Sequence, residues 1–143
     1  MRRIGITGGI GSGKSVVSRL LRIMGYSVYD TDSEAKRLME SSLEVVQKLS
    51  ECFGRDIYHN GRLNRGLLSS RVFGESDKIV LLNSIVHPVV RFDFYRWSES
   101  LNEEICFVES AILYESRFDE LVDEVWTVTA PEELRISRVR QRR

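Results

Sequence analysis

Gly8-Gly9-Ile10-Gly11-Ser12-Gly13-Lys14-Ser15 completes the pattern G-x-x-x-x-G-K-[ST], with a matching frame on either side. Upstream, Arg3-Ile4-Gly5-Ile6-Thr7 reads as a short buried strand. Downstream, Val16, Val17, Leu20, Leu21 and Met24 recur at helical spacing until Gly25 stops the helix. Strand, glycine loop and helix are what polyphosphate binding needs. Glycines let successive backbone N–H groups curl around the anion, and the helix contributes its positive dipole end. Lys14 is then placed to reach the β- and γ-phosphates and the Ser15 hydroxyl to ligate Mg²⁺. The pattern predicts ATP or GTP binding through Gly8 to Ser15.

Working outward, Tyr26-Ser27-Val28-Tyr29 reads as a second strand, and Asp30-Thr31-Asp32-Ser33-Glu34 turns it into a helix that Thr31 and Glu34 are spaced to cap as a box. Asp32 falls at the carboxyl end of a strand and in a first helical turn, where open α/β sheets place ligand-contacting residues. It reads either as a base or orienting group for a substrate hydroxyl, with Asp30 on the metal side, or as one of two helix-capping aspartates. Helices are expected over Leu43–Phe53, Asn64–Phe73, Asp77–Val86 and Pro88–Leu101, the last carrying Val90, Phe94, Trp97 and Leu101 on one face. Gly54 to Gly61 reads as a polar loop. Strands return at Ile105–Val108 and Glu124–Thr129, and Pro131 opens another helix. This alternation predicts an α/β fold in three layers, with a parallel sheet covered on both faces. The helical block is too large for a simple crossover and is expected to cap the site.

The 143 residues suit a single domain, and they are few for a complete enzyme of this kind. Lys plus Arg and Asp plus Glu each number 21, so there is no basic excess of the kind that drives nucleic-acid binding. Cys52 and Cys106 sit among apolar neighbours and read as buried thiols of a reducing cytosol. Glycines at 5, 8 and 9 interrupt any signal-peptide core, and no apolar run reaches the length of a membrane span. A soluble cytoplasmic protein is expected, and composition carries no signal about its oligomeric state.

Other chemistry-bearing residues are read with two meanings each. Arg135, Arg138 and Arg142 share a helical face that is either a closing lid on the phosphates or a solvated basic end. Arg65 and Arg71 either contact an anionic substrate or are solvated. His87 before Pro88 marks a helix start or a substrate contact. Glu109 and Glu115 lie at the sheet edge as site carboxylates or as surface and capping groups.

These pieces fall into a known order. Ile4 to Ser15, Val28-Tyr29-Asp30-Thr31-Asp32, Leu63-Asn64-Arg65, His87-Pro88, Ile112-Leu113-Tyr114-Glu115 and Arg138-Val139-Arg140-Gln141-Arg142 together resemble the dephospho-coenzyme A kinase family along essentially the whole chain. The resemblance implies a cytoplasmic kinase that uses ATP and Mg²⁺ to phosphorylate the ribose 3′-hydroxyl of dephospho-coenzyme A. It implies Asp32 as the catalytic base; Lys14, Arg138 and Arg142 on the transferred phosphate; Gly8 to Val16 around ATP; and Arg65, His87 and Glu115 on the substrate side. Residues 1–32 and 103–130 would form the nucleotide-binding core, 33–102 the coenzyme A-binding cap and 131–143 the start of the lid. Val16 and Ala111 depart from the family's usual threonine and proline. The family continues through the rest of the lid, a fifth strand and a final helix, so the resemblance also implies a piece truncated at its carboxyl end. The alternatives are another small-molecule or nucleoside-monophosphate kinase, and a nucleotide-binding module without catalysis.

Overall fold

A computed structural model describes residues 1–9 and 11–129. Its elements run β1 (Arg2–Thr7), α1 (Lys14–Ile23), β2 (Val28–Asp30), α2 (Thr31–Ser41), α3 (Leu43–Phe53), β3 (Tyr58–His59), β4 (Arg62–Leu63), α4 (Arg65–Val72), α5 (Ser76–Ser100), β5 (Ile105–Glu109) and β6 (Glu124–Thr127). Short 3-10 turns occupy Arg55–Ile57 and Phe118–Leu121. The chain divides into two compact units. One comprises Met1–Thr31 and the chain from Phe94 onward; the other is Asp32–Asp93.

The first unit holds a parallel sheet of four strands in the order β2-β5-β1-β6, as the alternation of strands and helices predicts. From β1 the chain goes to one side for β2 and β5 and to the other for β6. That reversal opens a crevice at the carboxyl end of β1, where the glycine loop begins. Strand side chains alternate between faces. Ile4 and Ile6 of β1 and Phe107 of β5 pack with Leu21 and Val17 of α1. On the other face Gly5 has no Cβ because Leu113 lies there: an added methyl would stand 2.6 Å from its Cδ1. Tyr29 packs on Phe94 and Trp97, each at 5.4 Å between ring centroids, and Phe94 packs on Phe118 at 5.7 Å. Arg3 fastens the end of α5 to β1, donating from Nε to Ser98 Oγ at 2.8 Å and from Nη2 to Glu99 Oε1 at 2.5 Å. The helical spacing in α1 therefore splits. Val17, Ser18 and Leu21 turn inward, and Val16, Leu20, Ile23 and Met24 are exposed.

In the second unit α3 keeps the predicted bounds. Ser42 caps it by accepting from Val45 N at 3.4 Å, and Val45, Leu49 and Phe53 form its buried face. Asn64 is not the first helical residue but the cap of α4, its Oδ1 accepting from Leu67 N at 3.0 Å. Three expectations are corrected. Gly54 to Gly61 is not a plain loop: Ile57 is buried, and β3 and β4 form an antiparallel hairpin over Asn60 and Gly61, both at positive φ. The helices expected on either side of His87-Pro88 are one helix, α5. Proline lacks a single donor there, and the turns around it keep their own bonds. Thr31 does not cap α2. It is the first helical residue, and its hydroxyl donates to Glu109 O at 2.8 Å.

Arg71 is structural. Its guanidinium grips Asp56 with two bonds of 2.7 and 2.6 Å and donates to Phe53 O at 2.6 Å, so it has no fork left for a substrate. The hydrogen bonds from Arg71 hold the Asp56 carboxyl below its ordinary 3.8. A lowered folded value means that stability is present above 3.8 and lost as pH falls through the folded value. Asp56→Asn is therefore expected to lower the melting temperature at pH 7, with the gap from the parent closing below pH 3.8, as thermal melts across pH will show.

Of the two cysteines read as buried thiols, Cys106 is buried and Cys52 is not. Cys106 is fully buried in β5, and burial pushes its thiol up to about 11, while Cys52 is exposed beside the buried face of α3. At pH 8 an aromatic disulfide reagent is expected to titrate one thiol in the folded protein and two after denaturation. Prompt reaction of both in the folded state would contradict the packing of β5.

Candidate active site

The glycine loop leaves β1 at Thr7 and enters α1 at Lys14, and three of its glycines take conformations that side chains resist. Gly11 has φ 76° and Gly13 φ 103°, both left-handed. Gly8 is crowded instead: a Cβ there would lie 2.4 Å from Val128 O and 2.7 Å from Ser12 Oγ. Ser12 N donates back to Gly9 O at 3.1 Å and tightens the loop. Gly13 is the N-cap of α1 and offers no side-chain acceptor, and the first turn of α1 has no acidic residue, unlike those of α2 and α3. No side-chain acceptor of the cap or first turn therefore competes with an anion for the N–H groups at this helix start.

Two further observations fit a polyphosphate. Ser12 Oγ is buried with no hydrogen-bond partner among the described residues, a costly state that an incoming acceptor relieves. Lys14 Nζ folds across the loop onto Gly9 O at 3.3 Å, a weak contact that leaves its charge available. Ser15 is exposed at the second residue of α1, and Val16 is exposed beside it. Ile10 lies outside the described residues.

One turn further on, Ser18 is only 1% exposed and its hydroxyl donates to Glu109 Oε2 at 2.8 Å. Glu109 ends β5, opposite Ile6 of β1 and Asp30 of β2. Sequence spacing left Glu109 open, as a site carboxylate or as a surface or capping group, and passed over Ser18. The structure makes them a pair at the carboxyl edge of the sheet, beneath the loop. A serine inside an apolar helical stripe, facing a glutamate that ends a buried strand, was the available signal.

The remaining residues are placed separately. Asp32 is exposed in the first turn of α2, directly after buried Thr31. Arg65 opens α4 and is bound to α2, donating to Lys36 O at 3.2 Å and lying 3.5 Å from Glu40 Oε1. His87 is half-buried in α5, and burial followed by the charge of Arg91 holds its imidazole below 6.5. Glu115 is exposed in the turn after β5. Arg138 and Arg142 lie outside the described residues. Among the described residues no group of three His, Cys, Asp or Glu gathers as a metal site, and no helix is long and apolar enough to cross a membrane.

Comparison with known proteins bears on this geometry. The family described as dephospho-CoA kinase matches residues 2–143. The chain belongs to the dephospho-CoA kinase family. It is 47% identical to the dephospho-CoA kinase of Porphyromonas gingivalis over 99% of its own length and 70% of that protein's. It is 41% identical to that of Corynebacterium diphtheriae over 97% of itself and 72% of that relative. Among solved structures, TT1252 from Thermus thermophilus superposes with a TM-score of 0.82 at 36% identity, covering 99% of this chain and 72% of that one. A dephospho-CoA kinase from Campylobacter jejuni, at 16% identity and TM-score 0.63, shares the fold, covering 98% of this chain and 95% of that one. The family assignment and the kinase architecture agree with the resemblance carried by the motifs.

Proposed function

We propose that this dephospho-CoA kinase family member transfers the γ-phosphoryl group of ATP to the ribose 3′-hydroxyl of dephospho-coenzyme A in the cytoplasm, giving coenzyme A and ADP. The observation that carries the proposal is the family match along residues 2–143, which takes in the intact glycine loop. The hydroxyl oxygen bonds to the γ-phosphorus, the bond from that phosphorus to the β–γ bridging oxygen breaks, and the hydroxyl proton leaves. Such transfer is mostly positioning and charge neutralisation.

The roles follow from what each residue offers. Backbone donors of Gly8 to Ser15 bind the phosphates, and the buried, unpartnered Ser12 hydroxyl in the same loop adds a side-chain donor. Lys14 shifts from Gly9 O to the β- and γ-phosphates. Mg²⁺, when bound with ATP, neutralises developing phosphate charge, and Ser15 is the protein donor suited to a cation that takes most of its ligands from phosphate and water. Asp32 orients the acceptor hydroxyl and takes its proton. Residues 33–102 bind the acceptor, with Arg65, His87 and Glu115 on the substrate side, and Arg138 and Arg142 act from the lid. Arg65 is the weakest of these, since it already serves α2.

The test is a panel of acceptors. The full protein with ATP and Mg²⁺ is expected to turn over dephospho-coenzyme A and to leave AMP and shikimate untouched. Turnover of AMP or shikimate with none of dephospho-coenzyme A would assign another small-molecule kinase.

A further inference from the structure

Two buried hydroxyls from different parts of the first unit end on one residue. Ser18, on the buried face of α1 one turn after the loop, donates to the Glu109 carboxylate at 2.8 Å. Thr31, the last residue of that unit and the immediate neighbour of Asp32, donates to the Glu109 carbonyl at 2.8 Å. Both donors are almost fully enclosed, Ser18 at 1% and Thr31 at 7% exposure, so each needs its acceptor and neither has water as a ready substitute. Glu109 itself is held on both flanks, by Ile6 of β1 and Asp30 of β2, in the middle of the sheet. The helix that carries Lys14 and Ser15 and the residue that follows β2 are thus referenced to the same rigid point.

We infer that Glu109 is a positioning residue for phosphoryl transfer, its carboxylate fixing α1 through Ser18 while its backbone carbonyl holds Thr31. This rests on the kinase reading above. Reaction rates that depend on aligned groups fall steeply with small displacements, whereas phosphate affinity, spread over many loop donors, falls little. The acceptor capacity of the side chain matters here and its charge does not, because Ser18 needs only an oxygen to receive its proton.

The experiment compares Glu109→Ala, Glu109→Gln and Ser18→Ala in the full protein, reading kcat and KM for ATP and, separately, binding of a nonhydrolysable ATP analogue. Glu109→Ala is expected to lower kcat about 30-fold with less than about a 3-fold change in KM for ATP. Glu109→Gln is expected to recover the parent kcat to within about 3-fold, since its amide oxygen still accepts. Ser18→Ala should lower kcat about 10-fold on its own and little further when added to Glu109→Ala, because both changes remove one bond. Equal loss in Glu109→Gln and Glu109→Ala, or fully additive losses in the double variant, would overturn the inference. If Glu109→Ala does not fold, Ser18→Ala and Glu109→Gln decide it: a parent-like Ser18→Ala sinks it. An unaltered protein that binds the analogue but leaves dephospho-coenzyme A untouched would instead indict the functional reading.

Discussion

Asp32→Asn is expected to lower kcat for phosphorylation of dephospho-coenzyme A by about 10²- to 10⁴-fold, the range seen when a positioned proton acceptor is removed. Asparagine keeps the shape and one acceptor oxygen, but it cannot take a proton. The loss should therefore fall on the chemical step, with the affinity for ATP unchanged, because the proposed function assigns the phosphates to the loop between β1 and α1. A loose transition state leaves most of the acceptor's proton in place until late, which favours the lower end of that range. Steady-state kinetics with a parallel ATP titration will check both halves. A variant with the parent's rate would return Asp32 to the bland reading of a helix-starting aspartate, and one that loses ATP binding would place it in the loop's architecture.

The stability of α2 gives a control on that experiment. Asp32 lies in a first helical turn, where a negative charge is favoured by about 0.3–1 kcal/mol, and a thermal melt of Asp32→Asn measures what the exchange costs in folding. A fall of that size in stability cannot account for a hundredfold loss in kcat. Ser33→Ala alters the neighbouring first-turn residue without removing a carboxylate and should keep the rate.

What the sequence disclosed and what it hid divides by distance along the chain. The glycine loop, the strand before it and the helix after it are contiguous, and the pattern of residue types is itself the physical requirement, so the strand–loop–helix unit was legible from fifteen or so residues. The bounds of α3 were equally readable, because Ser42, Gly54 and the stripe of Val45, Leu49 and Phe53 agree. The hairpin over Asn60-Gly61 had a local signal in that dipeptide, but its strands are only two residues each, too short for alternation to register. The joint at His87-Pro88 was misread because a proline's preference is a bias that neighbouring helical turns override. Ser18 and Glu109 are 91 positions apart, and no periodicity connects them. Only the parallel register of β5 against β1 brings the glutamate under α1. The same holds for Arg71 and Cys52: type and spacing left Arg71 as a substrate contact or a solvated side chain and suggested a buried thiol for Cys52, and which way each faces was decided by packing.

Gly8→Ala is expected to weaken ATP binding by about 100-fold or more, equivalent to about 2.7 kcal/mol. The new methyl would meet Val128 O at 2.4 Å and Ser12 Oγ at 2.7 Å, both far inside contact distance. Neither gives way cheaply. Val128 is tethered to the end of β1, its N–H donating to Thr7 O at 2.8 Å, so its carbonyl cannot retreat without breaking the sheet's continuation. Ser12 is itself buried in the loop, at 4% exposure. The loop must therefore open, and the N–H groups that depend on its curl lose their common focus. Gly25→Ala separates this crowding from backbone strain. Gly25 also has a positive φ, 96°, but nothing lies within 4 Å of its missing Cβ. That variant should lose about 1–3 kcal/mol of stability to strain and keep its ATP affinity. Calorimetric titration of both variants with a nonhydrolysable ATP analogue, alongside thermal melts, distinguishes the two causes. Equal affinities would mean that the crowding at Gly8 is relieved elsewhere, and that the curl of the loop is not what holds the phosphates.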